Sequence, residues 1–279
     1  MAVALVLGGI TSVQIGSALA THLFDDIGAA GTVLLRTVFA AGALALFWRP
    51  VARSMSRSTL RDIGLFAITL GGMNLCFYEA LERLPLGIAV TLEFVGPLGV
   101  AIAGTRNRLD LLWVVLAGGG ILLLAPDIGD GLDAAGVVLA LVAGTFWGLY
   151  ILMSARVGRG PAGLGGLTTA MIVASILLLP VGIADGGGEL LVPGILVAAL
   201  GVAILSSAIP YVVELEALRR LPERVFGVLL SVEPAVAAIV GLIVLNQHLV
   251  GREIIAIALV VAASAGALSS AEALEAPQS

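Results

Sequence analysis

Residues 84–104 read LPLGIAVTLEFVGPLGVAIAG, an unbroken apolar run with a single carboxylate, Glu93, near its centre. In a soluble domain such a stretch is core; in a bilayer it is one crossing of about 20 residues. Composition decides between the two. Hydrophobic residues make up 59% of the 279 and charged ones 12%, with a mean hydropathy of +1.13, whereas soluble domains carry about 45–50% apolar and about 25% charged residues. The chain is written for lipid, and Glu93 is a charge inside a span. The formal net charge of -5 leaves no basic patch to neutralise phosphates, which argues against nucleic acid as a partner. One cysteine, Cys76, excludes an intrachain disulfide.

Outward from that run, apolar stretches bounded by charges, Pro and Gly predict ten helical spans over 2–22, 27–48, 62–82, 85–105, 109–126, 134–154, 162–184, 191–215, 222–245 and 252–270. Transmembrane strands would alternate over about ten residues, and these runs are too long and too evenly apolar for that. The first run lacks a basic start and is followed by others like it, so it is expected to be a span rather than a signal peptide. A polar tail is expected over 271–279. Arginines test the parsing. The loops after spans 2, 4, 6 and 8 hold Arg49, Arg53, Arg57, Arg61, Arg106, Arg108, Arg156, Arg159, Arg219, Arg220 and Arg224; the other loops hold only Arg83 and Arg252. That alternation fits an even number of spans with both termini in the cytoplasm.

The segment 80–104 matches 217–241 at a constant offset of 137, with eleven of 25 residues identical, including Pro85 with Pro222 and Pro97 with Pro234. The copies fall in units 1–130 and 131–270, one in each. Five spans each is an odd number, so the two units are predicted to enter the membrane from opposite sides, an arrangement typical of transporters. The predicted fold class is an all-α integral membrane protein of ten spans in two inverted five-helix repeats.

Charges at the midplane nominate the site. A central charge costs a span roughly 2.5–3.5 kcal/mol on insertion, so Glu93 must be neutralised, paired or facing water. Arg36, in the middle of span 2, lies at a matching depth and is the expected partner. Pro97 cannot donate to the carbonyl of Glu93, Pro234 leaves that of Leu230 unpaired beside Glu233, and Pro210 leaves that of Ser206 unpaired. Broken helical backbone at this depth is tolerated where it is buried in protein or faces a cavity. Asn74 and Tyr78 share a face of span 3, and Trp147 and Tyr150 a face of span 6. Gln14, Tyr211 and Glu214 complete the candidate lining. The plainer readings are packing ones: an ion pair that fixes helix orientation, a Gly144/Gly148 contact surface beneath Trp147, interfacial aromatics, and Glu214 reaching out from a span end. No P-loop, H-E-x-x-H or G-x-S-x-G occurs, the eight aspartates lie in loops or at span edges, and His22 and His248 have no ligand-spaced partners. No enzyme, cofactor or metal site is expected.

With GGMNLCFYEALERLPLGIAVTLEFVGPLGVAIAG, GTFWGLYILMSARVG, LSSAIPYVVELEALRRLP and FGVLLSVEPAVAA in view, the chain resembles the EamA branch of the drug/metabolite transporter superfamily, and within it the threonine and homoserine exporters of bacterial inner membranes. That resemblance implies ten helices in two inverted repeats and export of small amino acids or related metabolites. A zwitterionic substrate needs an acid for its ammonium and a cation for its carboxylate, and Arg36 and Glu93 supply one of each. A midplane carboxylate that changes exposure also suits exchange against protons; no sodium motif is legible. The alternatives are another cargo in the same fold, such as an aromatic amino acid, a nucleoside or a cationic drug, a lipid-modifying enzyme, or a scaffold that transports nothing.

Overall fold

The computed structural model describes residues 2–50, 55–103, 108–124, 132–159, 162–210 and 229–273. Among them the chain is helical, with no strand. In order come α1 (Ala2–Thr21), α2 (Phe24–Phe47), α3 (Arg57–Leu81), α4 (Leu86–Glu93), α5 (Val95–Ala103), α6 (Arg108–Leu124), α7 (Ala134–Arg159) and α8 (Gly163–Gly186). A 3-10 turn (Gly187–Leu191), α9 (Pro193–Ala203), a π-helical segment (Ile204–Ala208), α10 (Glu233–Val244) and α11 (Gly251–Ala273) follow. Helix is the forced choice for these runs, because hydrocarbon offers no partner to backbone N–H and C=O groups and a helix satisfies them within the segment.

Burial is inverted relative to a soluble protein. Val197, Ile243 and Leu122 are 71–74% exposed, while Gln14, Glu93 and Glu233 are 2–9% exposed. Large aliphatic side chains on the outside and polar ones within describe a body solvated by lipid. By length and composition, Ala4–Thr21, Phe24–Phe47, Arg57–Leu81, Ala134–Ser154 and Gly163–Leu191 can each cross a bilayer, and the shorter apolar helices include Leu86–Val100, Pro193–Ala208 and Glu233–Val244. The most extensive helix pairings are α3 with α7, α2 with α8 and α6 with α11, and α4 packs against α10.

Three of the expected continuous spans are interrupted. The span expected over 85–105 divides at Phe94 into α4 and α5. Backbone bonds run from Phe94 N to the Val90 carbonyl (3.0 Å) and from Leu98 N to the Phe94 carbonyl (3.2 Å), so the missing rung is the one Pro97 cannot supply to Glu93. The span expected over 191–215 gives way at Ile204 to π-helical turns that end just before Pro210. The third break has no proline. Gly28, at φ 67 and ψ 172, kinks α2, and the exposed Asp185 at the end of α8 accepts hydrogen bonds from Ala30 N (2.9 Å) and Gly31 N (3.4 Å). Asp185 thus caps a helix contributed by a distant part of the chain. A β-carbon at position 28 would overlap its carboxylate, so both the φ and the space demand glycine.

Boundaries shift for local reasons. The helix expected from 62 begins at Arg57 because Ser56 caps it, its hydroxyl accepting from Thr59 N at 3.2 Å. Helix α11 runs to Ala273, three residues into the tail expected over 271–279, whose remainder lies outside the described residues. The expected opening of the span at 222 lies outside the described residues. Glycines set the closest approaches: β-carbons on Gly96 and Gly144 would overlap the carbonyls of Gly144 and Glu93 respectively. The Gly144/Gly148 surface of α7 therefore receives the break between α4 and α5, as a small-residue contact does.

Candidate functional site

The guanidinium of Arg36 organises one half of the site. It does not pair with Glu93: among the described residues no ion pair joins them. Instead Nη1 donates to Asn74 Oδ1 at 2.6 Å, Nε to Ser207 Oγ at 3.3 Å, and Nη2 to the Ser206 carbonyl at 3.2 Å. That carbonyl is the one Pro210 leaves unpaired, so the arginine of α2 occupies the gap in the broken helix after α9. The plane of Arg36 also lies over the Tyr78 ring, with Cζ 5.1 Å from the ring centroid, a cation–π contact. Asn74 and Tyr78, four residues apart on α3, thus share their face as expected and meet the same cation. Asn74 is fixed in turn by its Nδ2, which donates to the Leu70 carbonyl at 2.8 Å. The Tyr78 hydroxyl is buried with no partner.

The carboxylates organise the other half. Glu93 is the last residue of α4 and Glu233 the first of α10. Both are buried, and the charges whose fields reach Glu93 are Glu233 and Arg36. Gln14, on α1, donates from Nε2 to Glu233 Oε1 at 3.0 Å; its own Oε1 is buried without a partner. The amide cannot be turned over, since that would set its oxygen against a carboxylate. No hydrogen bond to the Glu93 carboxylate occurs among the described residues. Its backbone carbonyl faces the Gly144 Cα.

The remaining candidates divide. Trp147 stands edge-on to Phe94 at the helix break, with centroids 5.2 Å apart at 88°. Tyr150 lies against Phe66, 5.3 Å away and tilted by 33°, in the hydrophobic cluster between α3, α7 and α8. The two share α7 but not a neighbourhood. Pro234 falls in the first turn of α10 and Pro210 is buried at the end of its described segment. Tyr211 and Glu214 lie outside the described residues.

Two groups escaped notice in the sequence. Ser207 contributes a hydroxyl to Arg36, and Ser12 donates to the Leu205 carbonyl at 2.7 Å, so side chains of α1 and α2 both satisfy π-helical backbone. The paired serines of LSSAIP, just before a proline, were the available signal. The combination is one cation held by an amide, a hydroxyl and a carbonyl, with two acids and an amide opposite, inside an apolar helical body. Such a set can bind a small molecule carrying both signs of charge.

The chain is similar to known transport proteins. The pattern of the EamA-like transporter family matches residues 134–269. The threonine/homoserine exporter RhtA of Salmonella typhimurium is 41% identical over 261 residues, spanning 92% of this chain and 87% of that protein. Its namesake from Escherichia coli K12 is 38% identical over 269 residues, spanning 95% and 90%. A solved crystal structure shares the fold with a TM-score of 0.64 across 98% of this chain and 99% of that one, at 19% identity. The relatives are exporters, not enzymes.

Proposed function

The chain belongs to the EamA-like transporter family, and from that premise we propose that it exports threonine, homoserine and similar small amino acids from a bacterial cell by alternating access. The observation that carries the proposal is the enclosure of both signs of charge, a half-buried Arg36 with the buried Glu93 and Glu233, among helices whose outward faces are aliphatic. Charges are held within a bilayer at a cost that a structural span has no need to meet. An amino-acid zwitterion uses both: the guanidinium has N–H groups beyond the three already engaged for a carboxylate, and the acids take an ammonium.

The scaffold for this activity is ten spans in two inverted repeats, residues 1–130 and 131–270, with both termini in the cytoplasm. Three observations support it. Eleven residues repeat in register at an offset of 137. The family pattern falls on 134–269, close to the second unit taken alone. The helix contacts are also symmetric under exchange of the units: α2 with α8, α4 with α10 and α6 with α11 join spans five crossings apart, and the packing of α3 on α7 has its counterpart in α1 on α9 and the π-helical segment. Two such units rocking about a central site expose it to each side in turn. Protons are the coupling ion, because a buried carboxylate that alternates in exposure can load and release one on opposite sides.

Radiolabelled threonine and homoserine counterflow in proteoliposomes tests the proposal. Saturable uptake, diminished by excess unlabelled threonine, is expected. Uptake displaced by aromatic amino acids or nucleosides but not by threonine would move the protein to another cargo, and no counterflow with any of them would leave a scaffold.

A further inference from the structure

The two buried acids occupy opposite ends of helices. Glu233 opens α10, a helix of 12 residues, where the aligned peptide dipoles and unpaired N–H groups favour a negative charge. Glu93 closes α4, where those dipoles present their negative end, and its own unpaired carbonyl lies against α7. Each acid also keeps different company. Glu233 receives a hydrogen bond from Gln14, whereas no donor meets the Glu93 carboxylate among the described residues.

The second observation is the vacancy on Gln14. Its Nε2 is committed to Glu233, and its Oε1 is buried in a side chain 2% exposed and accepts from nothing. A buried amide oxygen without a donor is costly. It sits within the same amide group that holds the carboxylate, so an unsatisfied amide acceptor stands beside a carboxylate. The complementary group carries several N–H donors and a positive charge. Carboxylates, carbonyls and ethers bring no donor, and a hydroxyl brings one and no charge.

Resting on the export proposal above, we propose that Gln14 and Glu233 form the subsite for the substrate's primary ammonium group, leaving Glu93 to carry the proton. Arg36 takes the carboxylate at the other end, so the substrate bridges the two halves of the site. In this scheme Glu233, at a helix amino end and held by Gln14, serves the ammonium, and Glu93, whose carboxylate meets no donor among the described residues, serves the proton. The charged and titratable groups close enough to interact with Glu93 are Glu233 on α10, Arg36 on α2 and the Cys76 thiol on α3.

The test uses the full chain in proteoliposomes, with labelled L-threonine and two competitors: L-homoserine, which keeps the ammonium, and 2,3-dihydroxybutanoate, in which a hydroxyl replaces it. Wild-type protein should prefer homoserine to the deaminated acid. Gln14→Leu should raise KM about tenfold with kcat changed far less, the loss expected for a hydrogen bond to a charged group, and should narrow that preference. Glu233→Gln should abolish the preference. Glu93→Gln should keep it in counterflow while losing the response to an imposed pH gradient. Where Glu233→Gln fails to fold, Gln14→Leu decides alone. A preference unchanged in Gln14→Leu, or one lost in Glu93→Gln instead, overturns the assignment while export stands. Wild-type protein that moves neither threonine nor homoserine overturns the export proposal and this assignment with it.

Discussion

The broken helices α4–α5 and α10 share their proline and differ in everything that surrounds it. Pro97 and Pro234 stand in register, and α4 packs so closely on α10 that a β-carbon on Gly87 would lie 2.8 Å from the Ala238 Cα. The acids do not stand in register: at the offset of 137, Glu93 corresponds to Leu230 and Glu233 to Gly96. The first break packs on the glycines of α7. The second packs on Val6 and Ile10 of α1, one turn from the Gln14 that reaches Glu233. Two prolines in register are thus surrounded by unequal side chains, with one acid at the amino end of α10 and the other at the carboxyl end of α4.

Substitutions can sharpen or break that contrast. The largest effect is expected at Glu93: replacement by Gln should cut pH-driven net export by on the order of a hundredfold or more, as for an intramembrane proton carrier, without reducing the amount of protein in the membrane. Normal proton-driven export by that variant would erase the distinction between the acids. Next comes Arg36→Lys, since an ammonium cannot serve Asn74, Ser207 and the Ser206 carbonyl in one plane; KM for threonine should rise roughly tenfold, measured as initial rates in proteoliposomes. Gly144→Ala should destabilise the protein by about 1–3 kcal/mol through overpacking, read from thermal unfolding in detergent, because the new methyl meets the Glu93 carbonyl. A methyl that costs nothing there would mean the break is loosely packed. The smallest effect belongs to Asp185→Asn, which keeps an acceptor for the α2 amides but removes its charge; about 0.3–1 kcal/mol of stability should be lost, by the same measurement.

Much of this was legible in the sequence, and the failures share a cause. Apolar runs and arginine spacing locate helices because both follow from solvation along one axis, the bilayer normal. Depth is all that such arguments measure. The sequence predicts matching depths for Arg36 and Glu93, yet the azimuth of α2 turns the guanidinium toward α3 and the π-helical segment instead. That Pro210 cannot donate to the Ser206 carbonyl could be deduced; the donor that reaches it, 170 residues away, could not. The π-helical turns were hidden because a helix apolar on every side gives no periodicity for an inserted residue to disturb. Gly28 looked like one more glycine in an apolar run, and only the packing of α8 on α2 reveals Asp185 as the reason for it.

That clasp gives α2 a mechanical character. With its first amides anchored to Asp185, α2 would pivot at Gly28 if it moved, and Arg36 lies eight residues along it, about 12 Å out at 1.5 Å per residue. A swing of about 10° would carry the guanidinium about 2 Å on that arm, enough to part it from the Ser206 carbonyl at 3.2 Å. A small rotation at the rim of the protein is thereby magnified at its centre.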